Sequence, residues 1–235
     1  MSIKGFQGTS LLDFPGRIAS LIFFGGCNLT CPYCHNPGLV LDPGQYPDYP
    51  AEAVLEQLQS RRRFIDGVVV SGGEPTLDPG LLPFLRQVKG LGLAVKLDTN
   101  GLAPPTVLEL ALAEGLVDYV ALDLKTAPAR YGVLHRGPVP LGGLLQSVRL
   151  LLEGVVDYEL RTTCVPGLVE EADIRAIGEL VRSAKRWVLQ QFVPGHSLAE
   201  ELREIEPHPA ETIRAFAEVA GGYVGEVGVR GGLNG

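Results

Sequence analysis

The chain has 235 residues, 46% of them hydrophobic and 20% charged, the composition of a globular protein with room for a sizeable core. Its formal net charge of −7 argues against a broad electrostatic grip on nucleic acid, a transfer RNA included. No stretch approaches the length of a membrane span and Met1–Gly8 has no apolar signal core, so a cytoplasmic chain without a membrane partner is expected.

Hydrophobic patterning predicts one domain, residues 1–235, of alternating strands and helices. Arg17–Phe24 reads as a strand that runs into a cysteine-rich loop. Pro50–Phe64 reads as a helix whose closing run Arg61, Arg62 and Arg63 suits a helix C-terminus. Gly67–Ser71 is a short buried strand. Asp78 as N-cap and Pro79 as first helical residue open a helix to about Gly90. Then follow strand Ala94–Asp98, helix Pro104–Gly115, strand Tyr119–Asp123, helix Gly142–Glu153, strand Tyr158–Val165, helix Glu170–Ala184 and strand Arg186–Phe192. A helix over Pro209–Ala220 and a further strand over Tyr223–Arg230 complete the chain. Such alternation implies parallel βα units with right-handed crossovers. With about six units, fewer than the eight of a closed barrel, the expected fold is α/β, a partial open (β/α)6 TIM-like barrel. Its lateral mouth could admit a protein segment.

Cys27, Cys31 and Cys34 have the spacing C-x3-C-x2-C, with Tyr33 before the last. Three thiolates can hold three corners of a 4Fe–4S cubane and leave one iron open for chemistry, where a cluster that only stores electrons takes four cysteines. A zinc site made with His35 is the competing reading, but zinc motifs usually come as two separated ligand pairs. Three clustered thiols cannot all pair as disulfides. Cys164 lies far away and reads as a small buried strand residue.

In barrel-like α/β folds the chemistry sits at the C-terminal ends of the strands, and the other motifs fall there too. Ser71-Gly72-Gly73-Glu74-Pro75 follows the second predicted strand, Asp98-Thr99-Asn100-Gly101 the third, and Asp123-Leu124-Lys125 the fourth. Arg161 lies in the fifth, and Gln191–His196 follows the sixth. Without a Cβ, Gly72 and Gly73 would let backbone groups approach a ligand; the string is equally an ordinary strand-to-loop turn. Asp98 suits a cationic amine, or belongs with Asn100 and Gly101 to an Asx turn. Asp123 and Lys125 share one face of their strand, as ligand contacts or as a plain salt bridge, and a lysine is a good point-charge partner for a carboxylate.

The cysteine motif resembles the signature of radical S-adenosylmethionine enzymes. The longer string from Leu21 to Pro37, together with Leu12-Asp13-Phe14-Pro15-Gly16, is similar to the activating enzymes of glycyl-radical enzymes. The resemblance implies the open-barrel fold, one 4Fe–4S cluster on Cys27, Cys31 and Cys34, and S-adenosyl-L-methionine as the second cofactor. It places Tyr33, Cys34 and His35 against the adenine, and Gly72, Gly73 and Glu74 with Asp98 at the methionine amino group. Asp123 and Lys125 fall around the ribose and carboxylate, and Arg161 occupies the arginine of a similar strand. His196 is either an adenine neighbour or a surface-loop histidine. The implied activity is reductive cleavage of the cofactor and formation of a glycyl radical on a partner enzyme, with flavodoxin or ferredoxin as electron donor. The opening motif favours anaerobic ribonucleoside-triphosphate reductase as that partner, ahead of a pyruvate formate-lyase-type enzyme, a small molecule or a peptide. A non-catalytic metal-binding module is the reading from another class.

Overall fold

The computed structural model describes residues 1–135 and 138–231. Eight strands form one sheet in chain order. Strand β1 (Ile3–Ser10) runs antiparallel to β2 (Ala19–Phe24). Strands β3 (Gly67–Gly72), β4 (Ala94–Thr99), β5 (Tyr119–Asp123), β6 (Asp157–Cys164), β7 (Arg186–Gln191) and β8 (Glu226–Arg230) then add in parallel. The connections carry helices α1 (Pro37–Leu41), α2 (Ala51–Arg61), α3 (Leu81–Gly90), α4 (Pro105–Ala113), α5 (Gly142–Leu152), α6 (Glu171–Leu180) and α7 (Ala210–Gly221). The sheet ends at β1 and β8, as expected of a partial barrel. Among the described residues no helix is long and apolar enough to cross a membrane.

One expectation is corrected and one strand is new. The six expected βα units are present, from β2 with α2 to β7 with α7, and β8 falls in the further strand expected over Tyr223–Arg230, whereas β1 was not foreseen. Only the end residues of β1, Ile3 and Ser10, are buried, so this edge strand carries no alternating hydrophobic signal and is held mainly by backbone pairing. Helix α3 begins at Leu81 with Gly80 as its N-cap, not at Asp78. Asp78 instead accepts the Gly80 N–H at 2.7 Å and the Ser2 N–H at 2.7 Å, tying the turn to the start of the chain.

Period-two alternation sorts the strand residues into two layers. Ile22, Val68, Val70, Leu97, Leu122 and Leu189 face the helices and pack with Leu58, Val88, Leu108, Leu144, Ile174 and Phe216. On the other face Leu21, Val69 and Ala94 gather around Phe14 at the N-terminal ends of the strands. Burial of Phe14 contributes about 1.5–3 kcal/mol and closes the floor of the barrel; the ring is 3% exposed. Above that apolar floor the concave face turns polar, with Lys96 and Glu159 fully buried.

Candidate functional site

A cavity of ≈ 260 Å³ opens at the C-terminal edge of the sheet. All three clustered cysteines line it, together with the ends of β3, β4, β5, β6 and β7. The cysteine loop is anchored at both ends. Gly26 takes a positive φ of 86° and donates to Leu39 O at 2.7 Å, and Ala199 donates to Pro32 O at 2.8 Å. The buried Leu29 and Tyr33 also hold the loop to the core, and the Cys34 N–H closes a tight turn onto Cys31 O at 2.9 Å. The thiols are free. Burial pushes Cys27 up to about 12 and Cys31 up to about 11, and raises Cys34 as well. Thiols so buried stay protonated unless a cationic partner displaces the proton, and bound iron supplies that charge.

Gly72 and Gly73 line the cavity, as a ligand contact requires, and they have a second task as well. A Cβ on Gly73 would stand 1.9 Å from Gly26 O, and one on Gly72, at φ 119°, would stand 2.4 Å from Phe24 N and O. Their missing side chains let this loop dock on the cysteine loop, sealed by Gly73 N–H to Phe24 O and Glu74 N–H to Gly26 O, both at 2.8 Å. The Glu74 carboxylate is likewise turned inward. It accepts from Thr99 Oγ1 at 2.7 Å, Asn100 N–H at 2.7 Å, and the N–H and hydroxyl of Thr76. Burial raises its pKa against the pull of those donors. Glu74 is thus a strut between the ends of β3 and β4. Gly73→Ala is expected to cost about 1–3 kcal/mol by forcing backbone apart and to lower iron retention with it. Thermal unfolding and iron analysis on one preparation would check both; unchanged values would show that the loops need not touch.

A ladder of alternating charges crosses the cavity floor. Lys96 donates to Asp98 Oδ1. Arg161 bridges to Asp98 Oδ2 at 3.2 Å and to Asp123 Oδ1 at 2.7 Å, and Lys125 closes the row on Asp123 Oδ2 at 2.9 Å. The Ser71 hydroxyl adds a bond to Asp98 Oδ2 at 3.2 Å. Burial alone would raise both carboxylates, but Arg161 with Lys96 holds Asp98 below its ordinary value, and Arg161 with Lys125 holds Asp123 well below it. Burial alone would lower Lys125 and Arg161, and the facing carboxylates carry both upward instead. All four remain charged across the physiological range. The Asp123–Lys125 salt bridge and the ligand-facing position are both present: the pair is joined and lines the cavity.

Sequence reasoning missed several supports. Among the described residues Lys96 is the only buried lysine; its signal was its place on the face of Asp98 in an otherwise apolar strand. Tyr33 and Tyr131 clamp the Lys125 backbone, Tyr33 donating its hydroxyl to Lys125 O at 3.0 Å and Tyr131 receiving the Lys125 N–H at 3.0 Å. Asn100 does make the Asx turn, accepting Leu102 N–H at 2.9 Å. Its amide also donates to Asn28 Oδ1 at 2.7 Å and reaches Cys27 Sγ at 3.7 Å. His35 lines the cavity; burial lowers its pKa, with Lys125 and His196 adding to the effect. His196 is exposed, near enough to His35 to act on its charge, but outside the cavity lining. Cys164 is buried among the helix-facing residues, as expected, and does not line the cavity.

Among the described residues no three His, Cys, Asp or Glu side chains converge on a single metal ion. Three thiols on one short loop, all facing one cavity, suit a larger group with separate corners, and a 4Fe–4S cubane is such a group.

Comparison with known proteins agrees. The family model described as Radical SAM superfamily matches residues 21–180. A candidate glycyl-radical enzyme activating enzyme of Methanocaldococcus jannaschii is 32% identical over 97% of this chain and 95% of its own length. The pyruvate formate-lyase-activating enzyme of Clostridium pasteurianum is 28% identical over 83% of this chain and 82% of its own. Among solved structures, Streptococcus suis SuiB bound to the precursor peptide SuiA superposes with a TM-score of 0.67 at 15% identity. The match covers 88% of this chain and 47% of that one, so this chain spans about half of SuiB and the likeness is one of fold.

Proposed function

The chain belongs to the radical SAM superfamily, and from that premise we propose that it is an activating enzyme that forms a glycyl radical on a partner enzyme of the pyruvate formate-lyase type. Membership implies a 4Fe–4S cluster and S-adenosyl-L-methionine as cofactors. When bound, the two supply an electron and an oxidant strong enough to remove a hydrogen atom from a glycine Cα. The protein supplies binding, orientation and exclusion of water. Cys27, Cys31 and Cys34 would hold the cluster. Lys125 and Arg161 offer fixed cations to a carboxylate, Asp98 and Asp123 offer anions to an amine and a ribose, and the Tyr33–His35 backbone offers a surface for adenine.

One observation carries the reading: the three thiols line the same cavity as Asp98, Arg161, Asp123 and Lys125 of the charge ladder. The named relatives support the partner. The Clostridium pasteurianum relative and others at 27–28% identity are pyruvate formate-lyase activators, and the Methanocaldococcus jannaschii relative is described only as activating a glycyl-radical enzyme; the former favour that class over the anaerobic ribonucleotide reductase expected from the opening motif. The open edge between β1 and β8 suits a protein loop as substrate. Flavodoxin or ferredoxin fits as donor of the electron.

The test is anaerobic incubation of the reconstituted enzyme with S-adenosylmethionine, a reductant and the candidate glycyl-radical enzymes of the same genome. Electron paramagnetic resonance is expected to show a glycyl doublet on the pyruvate formate-lyase-type partner, with 5′-deoxyadenosine formed in matching amount. A doublet only on the ribonucleotide reductase would restore the earlier partner. Cofactor cleavage with every protein silent would move the substrate to a small molecule or peptide.

A further inference from the structure

Lys96 is 1% exposed, and among the described residues its sole hydrogen bond and sole ion pair are to Asp98. Its neighbours in register on β3 and β5 are Val69 and Tyr119, and Val69, Tyr119 and Ala94 all belong to or border the apolar floor around Phe14. A straight apolar side chain would fit such a place. A buried ammonium there is poor value for stability, because desolvation offsets most of what the ion pair contributes. What Lys96 does that an apolar residue could not is hold Asp98 Oδ1. The other oxygen, Oδ2, is held by Arg161 and by the Ser71 hydroxyl, at 3.2 Å each. The carboxylate is therefore pinned from two sides while it lines the cavity. With Lys96 gone, Arg161 is the one cation left on Asp98, and the carboxylate is free to rotate onto its guanidinium as a two-oxygen pair, the geometry that guanidinium prefers.

We propose that Lys96 is a positioning residue that fixes the Asp98 carboxylate to receive the amino group of S-adenosylmethionine. The proposal rests on the reading of the cavity as the site for that cofactor. It assigns Lys96 no contact with the cofactor itself; the effect passes through Asp98. A fixed acceptor is worth more than a mobile one because its ordering is not charged to the binding step.

Four variants separate the possibilities: Lys96→Met, which keeps most of the length of the side chain and removes the charge; Asp98→Asn; the double variant of these two; and Lys96→Ala. For each, iron per chain, thermal unfolding, anaerobic calorimetric affinity for S-adenosylmethionine, and KM and kcat for 5′-deoxyadenosine formation are measured. Lys96→Met is expected to keep its iron and stay folded, with a lowered melting temperature because Asp98 loses one buried partner, while its Kd rises about tenfold, the loss typical of one charge-assisted contact. KM should rise by more than kcat falls. The double variant should bind no worse than Asp98→Asn alone, because the two residues act as one unit. In Lys96→Ala, added n-propylammonium should recover affinity, which a purely structural role would not allow. Wild-type affinity in Lys96→Met beside weak binding in Asp98→Asn would overturn the role of Lys96, as would additive losses in the double variant. Wild-type affinity in Asp98→Asn with iron retained would instead overturn the reading of the cavity.

Discussion

Replacing Cys31 by alanine is expected to abolish both iron retention and cleavage of S-adenosylmethionine, and Cys27→Ala and Cys34→Ala should do the same. Anaerobically reconstituted wild type should carry about four irons per chain. The loss should be complete rather than graded. Cys31 is 7% exposed and sits on a loop closed by its own turn to Cys34 at 2.9 Å, and among the described residues the cavity lining holds no fourth cysteine to take over the vacated corner. The only other cysteine, Cys164, is 0% exposed and packs with the helix-facing residues rather than in the cavity. Cys164→Ala should therefore keep the cluster and most of the activity, at the modest stability cost of a small buried truncation. Iron and sulfide analysis with the absorption spectrum of each variant decides the matter. Iron kept by Cys31→Ala and lost by Cys164→Ala would reverse the ligand assignment, and zinc in place of iron would end the radical reading.

Much of this molecule could be read before its structure was known, and the readable parts share a physical basis. The buried run Gly67–Ser71 and the strand Tyr119–Asp123 announce themselves by apolar density between turn signals, which is a local property. Once the strands were placed, the polar residues at their C-terminal ends had to meet, because parallel strands present those ends on one side. Other features depend on contacts between distant segments. Nothing near Gly73 reveals that its missing Cβ makes room for Gly26 O, 1.9 Å from where a Cβ would stand. Nothing near Glu74 reveals that its carboxylate is consumed by Thr76, Thr99 and Asn100. Strand β1 escaped because backbone pairing leaves no hydrophobic trace in an edge strand. Lys96 escaped because a lone lysine in a strand ordinarily marks a solvent-facing position, and only the curvature of the sheet turns that face into an interior. His196 shows the opposite limit: a motif position transferred by resemblance lands near His35 but outside the cavity lining.

Arg161→Met is expected to be the most damaging change outside the cysteine loop, and its effect should depend on pH in a defined direction. Arg161 is the central rung of the ladder, joined to Asp98 at 3.2 Å and Asp123 at 2.7 Å with its own side chain 13% exposed. Removing it leaves two partly buried carboxylates facing each other with one lysine apiece. Breaking a buried pair from one side costs about 3–5 kcal/mol, since the abandoned charge stays desolvated. In the wild type both carboxylates are held below their ordinary values, burial notwithstanding, because Arg161 and the flanking lysines outweigh it. A group with a depressed folded pKa contributes stability that is fully present above its unfolded pKa, about 3.9 for an aspartate. That contribution is lost as pH falls through the lower folded value. The difference in unfolding free energy between wild type and Arg161→Met should thus be greatest from pH 5 to 7 and shrink below about pH 4. Urea unfolding of the two proteins across that range would measure it. A difference that stayed constant on acidification would mean that Arg161 stabilises the barrel by packing alone, and that the ladder is not an electrostatic unit.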